Sequence, residues 1–109
     1  MKQVDLVNAI KAIDLPITYH HWPIGQAPAL PYVVYYFPND NDMIADNTNY
    51  CPITALNIEL YTDNKDIALE DTLGDVLNSL GLVYAKTETY IESEKMYQIL
   101  YESGAMING

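Results

Sequence analysis

Basic residues are scarce in this chain. Lys plus Arg number 5 against 15 for Asp plus Glu, giving a formal net charge of −10 and a pI of ≈ 4.2. A chain this acidic repels phosphate backbones, which argues against specific nucleic-acid binding through a basic face. Docking to anionic lipid headgroups is disfavoured for the same reason. Cysteine is nearly absent too. Cys51 stands alone, which excludes an intrachain disulfide and any multi-Cys zinc site, and a free thiol suits a reducing compartment. The 5 glycines, at 25, 74, 81, 104 and 109, never cluster, so no Gly-rich phosphate cradle exists. No run approaches the ~20 apolar residues of a spanning helix. Asp5, Asn8 and Lys11 interrupt the first apolar stretch too early for a signal peptide. The chain is expected to be made in the cytoplasm.

What is present suits one compact domain over residues 1–109: half of the residues are hydrophobic and 18% are charged. Tyrosine dominates the aromatics, with 10 Tyr against 1 Trp and 1 Phe. Tyr carries a large apolar ring with a polar tip, and it favours strands, half-buried faces and protein interfaces.

Residues 2–13 read as a helix, with Leu6, Val7, Ile10 and Ile13 on one stripe. Asp14-Leu15-Pro16 ends it, because the residue before proline is pushed out of the helical region. Residues 17–22 read as extended, and 23–31 (PIGQAPALP) as loop. Tyr32–Phe37 is apolar at every position, as in a strand covered on both faces. Residues 39–49 are dense in Asn and Asp and read as a polar loop. Residues 50–62 alternate as a half-buried strand. The second helix carries Leu69, Leu73, Val76, Leu77 and Leu80, with Asp63 or Asn64 as its cap and Gly81 as its close. Gly74 inside it points to a close approach of helix and sheet. Strands over 83–90 and 95–103 complete the order α-β-β-β-α-β-β. This is an α+β domain with a mainly antiparallel sheet and two helices on one face.

The sequence offers little chemistry. His20 and His21 invite a metal reading, but neighbours on a strand point to opposite faces, so structural partners or solvent are expected for them. Asp40, Asp42 and Asp46 resemble part of a calcium loop. Counted from Asp40, Ala45 stands where an EF-hand needs glycine, and Cys51 where it needs glutamate. Glu88, Glu92 and Glu94 would share a face of a continuous strand as a solvated rim, with Lys86 and Lys95 as partners. The expectation is therefore no enzyme, no catalytic residues, no metal and no cofactor.

Five segments taken together carry a resemblance: LPITYHHWP, LPYVVYYFP, the Ala45–Asn47 ADN, IELYTDNKD, and YAKTETYIESEKMYQILYE. In this order they resemble small head–tail joining, tail completion or tail terminator-like proteins of long-tailed phages and prophages of Gram-positive bacteria. The resemblance implies a non-enzymatic α+β subunit in the virion, assembled in the host cytoplasm. It implies a ring of identical subunits, commonly a hexamer, contacting the phage connector and tail-tube proteins. A ring of such subunits, at −10 each, would not adhere to DNA passing through it. Met43, Ile44 and Asp46 in the polar loop, with Met106 and Ile107 near the C-terminus, are the expected subunit contacts. The alternative is a small acidic prophage-encoded binding module or inhibitor of a basic partner.

Overall fold

The structure, a computed structural model, describes residues 2–38 and 54–105. Its elements are α1 (Gln3–Lys11), β1 (Ile17–Tyr19), β2 (Tyr32–Tyr36), β3 (Thr54–Thr62), α2 (Ile67–Ser79), β4 (Val83–Ile91) and β5 (Met96–Ala105). Helix α1 is amphipathic, burying Leu6 and Ile10 one turn apart. Asp5 in its first turn accepts a hydrogen bond from the Lys2 amide at 3.0 Å. The helix stops at Lys11, two residues sooner than the apolar stripe suggests, because the chain turns through Asp14 at φ 63 ahead of Leu15-Pro16.

The strands form one sheet in the order β1-β2-β3-β5-β4. All pairings are antiparallel except β1 with β2, which is parallel. One face is apolar across the three central strands. Val33, Leu60 and Ile99 stand in register across it, as do Tyr35, Ile58 and Tyr101, all of them buried. Both helices lie on that face. Tyr35 donates its hydroxyl to Gln3 Oε1 of α1 at 3.2 Å, and Tyr101 donates to the Glu70 carbonyl of α2 at 2.7 Å. Leu6 and Ile10 from α1, and Leu73 and Leu77 from α2, join these strand residues in a single core. The α+β class and element order expected from the sequence are those observed.

Helix α2 starts later than DNKD suggests. Asp66, not Asp63 or Asn64, is its N-cap, and the Asp66 carboxylate accepts the Leu69 amide at 3.0 Å. Several capping residues stand in a row here. Asp66 takes the role because the chain must still turn out of β3, which leaves Lys65 beside the first turn. The far end behaves as expected. Gly81 sits at φ +83, its amide bonds Asn78 O, and the Leu82 amide bonds back to Leu77 O at 3.0 Å. That is a Schellman closure, and it needs the left-handed conformation glycine adopts freely.

Gly74 is buried against β4, where a Cβ would fall 2.3 Å from the Tyr84 hydroxyl and 3.4 Å from Tyr84 Cζ. The Tyr84 ring has little room to retreat, being stacked edge-on against Tyr101 at 5.0 Å. Alanine gains up to about 1 kcal/mol over glycine in helix propensity, while overpacking costs about 1–3 kcal/mol. Gly74→Ala is therefore expected to destabilise the native chain. In a Tyr84→Phe background the same change should become neutral or stabilising by up to about 1 kcal/mol. Urea unfolding of the four variants checks this as a double-mutant cycle. An effect of equal sign and size in both backgrounds would show that the hydroxyl is not what excludes a side chain at position 74.

Candidate functional site

A parallel pair cannot be joined by a tight hairpin. Its connection must travel back along the sheet, over one of the faces. The helices occupy one face, so residues 20–31, which link β1 to β2, run over the other. Their prolines at 23, 28 and 31 suit an extended strip. Beneath them Val34, which points away from the helices, is buried to 5% exposure. The result is an open groove of about 390 Å³. His20, His21, Trp22 and Ala27 form one wall. Tyr32, Val34, Glu59 and Tyr61 form the floor, and Ile91 and Met96 close the end near the β4–β5 turn.

The floor is an aromatic ladder with polar tips. Trp22 meets Tyr32 edge-on at 5.6 Å, and Tyr32 meets its cross-strand partner Tyr61 at 5.3 Å. Tyr61 donates to Glu59 Oε1 at 2.7 Å and accepts from Gln98 Nε2 at 2.9 Å. Burial, and then the hydrogen bond to Glu59, push the Tyr61 pKa far above the ordinary 10.0. Tyr32 is raised as well, by burial and by the charge of Glu94. Trp22 Nε1 is buried with no hydrogen-bond partner among the described residues.

The two histidines correct the expectation from alternation. β1 ends at Tyr19, and His20 takes φ 70, so the strand rule does not reach His21. Backbone bonds hold the turn: His20 N donates to Tyr35 O and His21 N to Tyr19 O, each at 2.8 Å. The rings meet edge-on, and the two Nδ1 atoms stand 3.1 Å apart.

A second constellation joins α2 to β4. Glu70 is 2% exposed. Its Oε2 lies 2.6 Å from Lys65 Nζ as an ion pair without hydrogen-bond alignment, while its Oε1 accepts from Lys86 Nζ at 3.3 Å. Lys65 also contacts Glu88, so the turn before α2, the helix itself and β4 share one network. The close carboxylates of Glu70 and then Glu88 raise the Lys65 pKa. A cleft of about 300 Å³ opens beside this network, walled by Ile67 and Ile99. Lys86 and Lys95 were the expected partners of a three-glutamate rim. Instead β4 ends at Ile91, Glu92 and Glu94 fall in the turn to β5, and Glu88 faces the helix side toward Lys65.

The expected contact residues Met43, Ile44, Asp46, Met106 and Ile107 lie outside the described residues, as do Asp40, Asp42 and Cys51. Among the described residues no three His, Cys, Asp or Glu side chains gather as a metal site, and no helix is long and apolar enough to cross a membrane. The Thr72, Ser79 and Ser103 hydroxyls donate to backbone carbonyls. No family model, curated protein or solved structure matches the chain.

The titration of the two constellations has one sign. Tyr61, Tyr101 and Lys65 all have folded pKa values raised above their ordinary ones, Tyr101 chiefly by burial. A raised value contributes stability that is complete below the unfolded pKa and is lost as pH rises toward the folded one. Stability is thus expected to fall steeply above about pH 10, the ordinary tyrosine value. Lys65→Met should flatten part of that fall, and Tyr61→Phe another part. Tyrosinate absorbance and circular dichroism recorded together through an alkaline titration check this. Tyrosinates that all form before any loss of structure would contradict it.

Proposed function

We propose that the chain is a structural subunit of a phage head–tail junction, a tail completion or head–tail joining protein that acts by ring assembly and not by catalysis. The family resemblance supplies the setting, and the outer edge of β4 is the observation that carries the mechanical part. β4 is a nine-residue edge strand, and among the described residues only β5 pairs with it. Edge strands in solution are ordinarily short or guarded by charge. At the opposite edge β1 has three residues. Both charges of β4, Lys86 and Glu88, are drawn to the helix side by Glu70 and Lys65. The other face carries Val83, Ala85, Thr87, Thr89 and Ile91, all neutral, with Val83 84% exposed. An edge of this length with one neutral face suits strand addition by a neighbouring subunit. Such head-to-tail contacts close a ring when the rotation permits. The net charge of −10 supports the same reading, since a ring lined with acid leaves passing DNA free.

Native mass measurement at rising concentration tests this, with the chain alone and mixed with the connector and tail-tube products of adjoining genes. Oligomers of ring stoichiometry are expected in at least one condition. Ala85→Lys with Thr87→Lys should keep the subunit folded, because surface changes are usually within about 0.5 kcal/mol. The pair should also hold it monomeric, by placing charge beside the open edge. A native chain that stays monomeric in every mixture would overturn the proposal. A chain that instead binds a basic host protein one-to-one would mark it as an inhibitor.

A further inference from the structure

We propose that His20 and His21 form a binding site for a divalent transition-metal ion of the zinc, nickel or copper class, at the mouth of the Trp22–Tyr32 groove. The two Nδ1 atoms stand 3.1 Å apart. Nitrogen ligands about 2.0–2.1 Å from a common ion are separated by about 2.9 Å at a right angle and about 3.3 Å at the tetrahedral angle. The observed spacing falls between these limits, so the two nitrogens stand at the separation that a shared ion requires. The geometry is prepared by the backbone. His20 is fixed in the left-handed region, where its amide is held by Tyr35 O, and the His21 amide is held by Tyr19 O. Thr18 Oγ1 lies 3.4 Å from His21 O, and the Tyr36 ring stands edge-on to His20 at 5.9 Å. Both imidazoles are exposed, so an ion reaches them directly.

Imidazole donors favour zinc, nickel and copper over magnesium and calcium, which prefer oxygen. Two protein ligands leave the remaining positions to water. The competing occupant of the same space is a single proton shared between the two Nδ1 atoms. It requires one ring to donate and the other to accept.

Zinc chloride titrated into the full chain separates the two. Calorimetry reads the stoichiometry, and the imidazole resonances of His20 and His21 read the location. A Cys51→Ser background removes the thiol as a competing ligand. The expected result is saturable one-to-one binding, with both histidines shifting together and no competition from magnesium. His20→Asn and His21→Asn should each abolish saturation while melting unchanged. Asparagine is chosen because it tolerates the left-handed backbone at position 20. Absence of saturable zinc binding in the Cys51→Ser chain would mean that the pair shares a proton only, and would overturn the proposal. Binding that survives either histidine substitution would overturn it equally, by placing the ligands elsewhere.

Discussion

A carboxylate with 2% exposure must be neutralised where it stands, because an unpaired charge in that setting costs several kcal/mol. Glu70 meets this requirement with Lys65 from the turn before α2 and Lys86 from β4. Its own backbone carbonyl takes the buried Tyr101 hydroxyl from β5. One residue of α2 therefore ties together the helix start, the edge strand and its neighbour. The consequence reaches the surface. Lys86 and Glu88 could have guarded the edge of β4, but they are committed to the helix side. What remains on the other side is neutral and partly apolar.

The second constraint is the parallel pairing of β1 with β2. With both helices on one face, the connection between these strands has to lie on the other. Covering Val34 gives β2 its second buried face, which is why Tyr32–Tyr36 tolerates an unbroken apolar run. The path also demands an abrupt change of direction after Tyr19. The left-handed His20 supplies it and swings His21 back beside its neighbour. The groove, the aromatic floor and the histidine pair are thus products of one topological choice.

Much of this was legible in the sequence where a signal repeats. Leu69, Leu73, Val76, Leu77 and Leu80 with Gly81 marked α2, and the alternation of Leu56, Ile58 and Leu60 marked the buried face of β3. The rest depended on single positions or distant partners. A parallel pairing without a crossover helix leaves no periodicity to read. The DNKD turn offered several caps, and Asp66 took the role expected of Asp63 or Asn64. Alternation of Glu88, Glu92 and Glu94 implied a shared face only while the strand continued, and it ends at Ile91. Alternation failed in the same way at His20, where one positive φ brings the two rings side by side instead of on opposite faces. Most of the tyrosine is accounted for by strand faces. Tyr35, Tyr36, Tyr61 and Tyr101 all find hydrogen-bond partners within the fold, while Tyr19 and Tyr90 remain 46% exposed.

The charge of the chain bears on both proposals in opposite ways. Lys65 and Lys86 are held against carboxylates, so they do little to offset the field of the remaining acids at the surface. That field lowers the local concentration of phosphate and raises that of divalent cations, within about 8 Å at physiological ionic strength. In the proposed ring, that field would give a lining to which DNA does not adhere. Each subunit also gathers cations around a surface where carboxylates alone would favour magnesium and calcium. In the proposed site, two imidazoles held at 3.1 Å supply the nitrogen donors that reverse that preference. Selectivity there comes from the donor atoms and attraction from the net charge, and neither requires a third protein ligand.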